Sequence, residues 1–116
     1  MRAAITHLIE KVAKTRVTFA ATGLTKTFTF TKPGFLRYIV SAASDPTTGS
    51  LTYTISIANV DGTVIYTSGN LAHNASTVTA ISSVPITDEL HTVTVTVSDV
   101  CGEAGMTVDV TLIIER

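Results

Sequence analysis

"HTVTVTVSDV" occupies residues 91–100, and its first eight positions alternate without a break: Val93, Val95 and Val97 on one side, Thr92, Thr94, Thr96 and Ser98 on the other. A period of two marks an extended strand with one buried face. Valine and threonine are both branched at Cβ, which suits a pleated surface. The valine face belongs in a core. The hydroxyl face carries no Lys, Arg, Asp or Glu, although a strand turned to water ordinarily displays some.

The same pattern recurs along the chain. "LTYTISIA" (51–58) sets Leu51, Tyr53, Ile55 and Ile57 inward and Thr52, Thr54 and Ser56 outward. "KTFTFT" (26–31) sets Phe28 and Phe30 against Thr27 and Thr29. "VTFAA" (17–21), "FLRYIVS" (35–41), "TVIYTS" (63–68), "STVTAIS" (76–82) and "MTVDVTLII" (106–114) also read as strands. "KPG" (32–34), "DPTTGS" (45–50), "GNLAHNA" (69–75) and "DVCGEAG" (99–105) separate them. "NVDG" (59–62) predicts a tight reversal that makes 51–58 and 63–68 an antiparallel hairpin. Pro85 makes 83–90 a connection or an edge strand.

About eight short strands, with no helix between them, favour antiparallel pairing, because parallel neighbours need long crossovers. The expected fold is all-β: an antiparallel two-sheet β-sandwich of immunoglobulin-like or jelly-roll topology, with a small barrel as the alternative. The length, 116 residues, suits one domain. Charged residues make up only 15% against a usual share of about 25%.

The leading segment differs. Ile5, Leu8, Ile9 and Val12 fall at helical spacing, with Glu10, Lys11 and Lys14 elsewhere on the wheel. The spacing predicts a short amphipathic helix over 3–14, or else an extended arm that orders against a partner. The chain therefore divides into a basic amphipathic arm, 1–16, and a sandwich, 17–116.

Charge follows the same division. Residues 1–37 hold Arg2, Lys11, Lys14, Arg16, Lys26, Lys32 and Arg37 against Glu10 alone, a net +6; residues 38–116 hold eight carboxylates against Arg116, a net −7. A basic front and an acidic body attract each other, within one chain or between copies. Between Pro46 and Thr87 the one formal charge is Asp61. Isolated domains usually scatter charge over outer faces and sheet edges. A threonine face either serves as an ordinary wettable surface or is covered permanently by other polypeptide, where charges would be costly to bury.

No motif names a reaction. Cys101, the single cysteine, excludes an internal disulfide, and its spacing from His7, His73 and His91 does not suggest a nucleophilic pair. Asp88, Glu89, Asp99 and Glu103 read as solvated turn residues, lacking the D-x-D-x-D-G series of a calcium loop. No cofactor or metal is expected. "NAS" (74–76) matches the N-glycosylation pattern but reads as a turn entering a strand. No apolar run is long enough for a signal peptide or a membrane span, so a soluble protein made in a reducing compartment is expected. The basic residues are dispersed and lack an aromatic platform, which weighs against nucleic acid. Sugar-binding sandwiches usually present aromatic rings; there is no Trp, Tyr53 and Tyr66 fall on inward phases, and Tyr38 alone remains for a carbohydrate-binding or adhesin-like module.

The threonine-rich strands of 25–81, the "DGTVIYTSG" hairpin (61–69) and a valine–threonine final hairpin together resemble small β-sandwich accessory proteins of tailed bacteriophage virions, namely decoration, cement and minor capsid proteins. The resemblance implies a non-enzymatic part, often trimeric, that clamps neighbouring capsid subunits and is incorporated in the bacterial cytoplasm. It also implies a terminal arm. On this reading the partner-binding residues are Ile5, Leu8, Ile9, Lys11, Val12, Lys14 and Arg16, and the partners are copies of the chain and a major capsid or other virion protein.

Overall fold

In the computed structural model, which describes residues 9–19, 24–44, 51–98 and 105–115, the alternating segments form nine strands and, among these residues, no helix. They are β1 (Ile9–Phe19), β2 (Thr25–Phe30), β3 (Gly34–Ala43), β4 (Thr52–Ala58), β5 (Val64–Thr67), β6 (Leu71–Ala72), β7 (Ala75–Ile86), β8 (His91–Val97) and β9 (Met106–Glu115). One sheet runs β1-β9-β3-β7; the other runs β2-β8-β4-β5, with β6 also on β4. All the pairings are antiparallel.

The pairs nest. β1 joins β9, β2 joins β8, β3 joins β7, and β4 joins β5, as if one long hairpin had been rolled up. This is jelly-roll topology, which decides between the two sandwiches the sequence allowed. The nesting also corrects the expected final hairpin. β8 and β9 do not pair; they take interior positions in opposite sheets. Strand alternation specifies a face and not a partner, so two similar neighbours in sequence can part.

The two sheets share one layer of side chains. Val93 and Val95 of β8, and Val108, Val110, Leu112 and Ile114 of β9, are each at most 1% exposed. Phe19, Leu36, Ile39, Tyr53, Ile55 and Ile57 complete the centre of the core. One polar bond crosses it: the Ser41 and Tyr53 hydroxyls lie 2.7 Å apart, joining β3 to β4. Burial pushes the Tyr53 phenol above its ordinary pKa, and the bond to Ser41 opposes this.

The expected helix over 3–14 is overturned for 9–14, which lie in β1; 3–8 fall outside the described residues. β1 pairs with β9 in register from Ile9↔Glu115 to Phe19↔Met106, so the expected boundary between 16 and 17 falls inside one strand. The strand carries a register shift between Val12 and Thr15. The bulge sets Val12 and Thr15, three apart, opposite the inward-facing Leu112 and Val110. A helix this short is marginal alone, whereas an open edge on β9 satisfies its backbone at once.

Elsewhere the differences are small. Asn59 and Val64 bracket the expected hairpin turn, with Gly62 at φ 91°, and Asp61 and Asn59 oxygens both accept from the Thr63 N–H. β7 runs through Pro85 to Ile86 as an edge strand. β6, two residues long, lies in the segment read as a loop. Gly105 closes the far end at φ 69°, where a Cβ would sit 2.7 Å from the Phe19 carbonyl oxygen.

The Ser41–Tyr53 bond yields a stability test. Tyr53→Phe leaves a buried hydroxyl without its partner and should cost about 1–3 kcal/mol in urea unfolding. Adding Ser41→Ala should recover much of that loss, since no buried polar group is then stranded. Additive losses in the double variant would mean that the two hydroxyls are not coupled.

Candidate interaction surfaces

The alternation that fills the core dictates the outer faces. In the five-stranded sheet, Thr25, Thr27 and Thr29 of β2 lie opposite Thr96, Thr94 and Thr92 of β8. Those in turn lie opposite Thr54, Ser56 and Ala58 of β4. β5 adds Thr67 beside Ser56 and Val64 beside Ala58. The result is a grid of hydroxyls and methyls, spaced about 6.7 Å along a strand and about 4.8 Å between strands. None of these outward positions carries a formal charge.

The outer face of the four-stranded sheet divides in two. Its β1–β9 half is charged. Arg16 donates to both carboxylate oxygens of Asp109, Nε to Oδ1 at 2.7 Å and Nη2 to Oδ2 at 3.1 Å. Lys14 Nζ stands 3.9 Å from the same carboxylate. The Arg16 hydrogen bonds hold the Asp109 carboxyl below the ordinary carboxylate range; partial burial opposes this, and attraction from Arg16 and Lys14 adds to it. The β3–β7 half is apolar. Beyond a register shift between Leu36 and Tyr38, Tyr38 faces outward opposite Ala80 and Ile113, and Val40 lies opposite Val78. Phe35 stands opposite Pro85 and is also exposed. Arg37 closes this end by donating to Glu115 Oε1 at 3.0 Å and Ser83 Oγ at 3.3 Å.

The residues expected to grip a partner separate. Ile5 and Leu8 lie outside the described residues. Ile9 and Lys11 take places in β1 opposite Glu115 and Ile113. Val12 packs against the chain's own core. Lys14 and Arg16 are drawn to Asp109. The attraction foreseen between basic front and acidic body is thus realised within the chain at these pairs. The surface that sequence reasoning missed is the β3–β7 apolar patch; its one signal was Tyr38, the tyrosine left on an outward phase.

The other candidates offer little chemistry. Cys101, Asp99 and Glu103 lie outside the described residues. Asp88 and Glu89 are exposed in the turn before β8. His91 is buried, stacks on Phe30 at 5.5 Å between centroids, and donates from Nδ1 to the Glu89 carbonyl at 2.7 Å. His73 donates from Nδ1 to the Leu51 carbonyl at 2.6 Å. Among the described residues, no group of three His, Cys, Asp or Glu gathers as metal ligands would. Asn74, at φ 51°, turns the chain into β7. A hollow lined by Arg37, Tyr38, Ile113 and Glu115 measures about 130 Å³, well under the roughly 300 Å³ at which small-molecule pockets begin.

No family model matches the chain, and no curated protein matches it in sequence. Solved structures do. The chain is similar to the infectious bursal disease virus VP2 subviral particle, with a TM-score of 0.53 and 12% identity over 94% of this chain and 32% of that one. It is also similar to the Gt strain of the same virus, with a TM-score of 0.51 and 16% identity over 94% and 32%. The T13 particle of that virus gives 0.52 and 12% over 95% and 35%. The chain spans about a third of those chains. At this identity the likeness is one of fold: a β-sandwich of the kind built into a viral particle. These neighbours come from an animal virus.

The Asp109 cluster predicts a pH signature. Its carboxyl is depressed in the fold, so its contribution is present above the unfolded carboxylate pKa of about 4 and fades as pH falls through the lower folded value. Asp109→Asn should lower the melting temperature at pH 7, and the gap to wild type should close below pH 4. Molar salt should narrow it as well. A gap unchanged from pH 7 to pH 2 would exclude the ion pairs as its source.

Proposed function

We propose that the chain is a non-enzymatic structural protein of a virion: a capsid decoration, cement or minor structural protein of a tailed bacteriophage, assembled in the bacterial cytoplasm and contacting neighbouring subunits. The observation that carries this reading is the uncharged outer face of β2, β8, β4 and β5. Burying an ionised side chain costs several kcal/mol unless it is paired, whereas a threonine hydroxyl needs only one hydrogen bond. A face of hydroxyls and methyls can be covered by another subunit without stranding a charge, and interface cores are depleted of charge in the same way. The likeness in fold to viral particles supports the same reading. On this reading the residues that reach a neighbour from the front end are Ile5, Leu8, Ile9 and Lys11, since Val12, Lys14 and Arg16 are engaged within the fold.

Density-banded particles from the virus encoding the chain should contain it at a fixed copy number by mass spectrometry. A chain found only in the soluble fraction would sink the reading. A Thr27→Glu, Thr94→Glu double variant, folded by circular dichroism, should lose at least tenfold in particle occupancy, because each buried carboxylate exceeds the 1.4 kcal/mol that tenfold represents. Deletion of 1–8 should weaken attachment and leave the sandwich folded; removing 1–16 would instead destroy most of β1.

A further inference from the structure

We propose that β7 is a pairing edge: two copies of the chain join their β7 strands antiparallel about a two-fold axis, fusing two four-stranded sheets into one of eight. This inference stands on the edges of the fold and goes beyond the virion reading.

The described residues present four sheet edges, formed by β1, by β7, by β2, and by β5 with the two-residue β6, and three are protected in recognised ways. β1 carries the exposed Lys14 and Arg16 and a bulge. β2 carries the exposed Lys26 and is followed by Pro33. β5 is only four residues long. β7 is twelve residues long and contains no Lys, Arg, Asp or Glu. Ser83, at φ 48°, and Pro85 lie beyond a register shift that follows Ala80, which leaves 75–80 as a regularly paired, uncharged edge. Alternate backbone groups along that stretch point away from β3.

The side chains favour a second copy over other occupants. Val78, in the middle of the stretch, is 66% exposed, the highest value among the large exposed hydrophobics. It continues an apolar row through Val40, with Tyr38 and Ala80 in the next row. Two β7 edges meet without like charges. The β1 edge of a neighbour would bring Lys14 and Arg16 to a strand with no carboxylate, and a charged peptide would find no countercharge. Antiparallel partners point to the same face, so outward residues must oppose outward residues. An axis on Val78 does this, setting Val78 against its copy and Ser76 against Ala80. A paired stretch this short buries less than the roughly 800 Å² per partner of a standard interface, so the dimer is expected to be a weak one.

The test uses the full-length chain in size-exclusion chromatography with light scattering. Wild type should be a dimer at tens of micromolar. Val78→Lys should be a folded monomer, its dissociation constant raised at least tenfold, while Val60→Lys, with the same charge change in the hairpin turn, should remain a dimer. A wild-type monomer at hundreds of micromolar, or a dimer indifferent to Val78→Lys, overturns the proposal. Should Val78→Lys not fold, Val78→Cys in a Cys101→Ser background decides: facing strands put the Cα atoms about 5 Å apart, within disulfide range, so oxidation should give a covalent dimer in high yield. No more covalent dimer than from Val60→Cys overturns it. A dimer missing from virions would refute the virion reading alone; a monomer present in them would refute this one alone.

Discussion

Two sheets share a single layer of side chains, and the rest of the molecule follows from that constraint. A strand sends alternate residues to opposite faces, so each strand gives one set to the core and keeps the other outside. β8 and β9, flanked on both sides in their sheets, meet this demand with unbroken alternation: His91, Val93, Val95 and Val97 from one, and Met106, Val108, Val110, Leu112 and Ile114 from the other. Burying a valine, leucine or isoleucine side chain is worth about 1.5–3 kcal/mol, so these two strands bind the sheets together more firmly than any polar contact on the surface. In so thin a body nearly half of each strand remains on an outer face. Whatever the protein does beyond folding is written there.

The ion pairs take on a different meaning against that core. Arg16 with Asp109, and Arg37 with Glu115, lie at the surface, where such pairs add little to stability. Their effect is to give Lys14, Arg16 and Arg37 partners within the chain. With Lys14 and Arg16 drawn to β9, these two charges of the basic front need no partner outside the chain. The unexplained features are then the uncharged ones: a hydroxyl grid on one sheet and an apolar row on the other.

Much of this was legible in the sequence, and the limits have physical causes. The inward phase of β4, β8 and β9 was readable because both neighbours of each are present and no bulge interrupts it. The hairpin at Asn59–Gly62 was readable because its turn chemistry is local. Strand order was not, since alternation selects a face and leaves the partner to long-range packing. β1 was misread because Ile5, Leu8, Ile9 and Val12 keep a helical spacing, whereas the partner that makes 9–19 a strand is the distant β9. A bulge in β3 sets Leu36 and Ile39 both inward, three apart, and turns Tyr38 out. The apolar patch around Tyr38 and Val78 was hidden for the same reason, because it forms only when two bulged strands pair.

The two outer faces differ in what covering them achieves. An apolar row gains roughly 25 cal/mol for each Å² removed from water, so it favours a lasting contact even with no specific bond. A threonine grid exchanges hydrogen bonds with water for hydrogen bonds with a neighbour, at a net gain of about 1 kcal/mol or less for each. It therefore holds weakly at any one point and depends on many points engaging together. A small sandwich of this kind can join a copy of itself along the β7 edge, where the apolar row ends, and lie against a repeating surface through the hydroxyl grid. The hydroxyl grid suits the second task because its own spacing repeats, and a repeating neighbour can engage all of its rows at once.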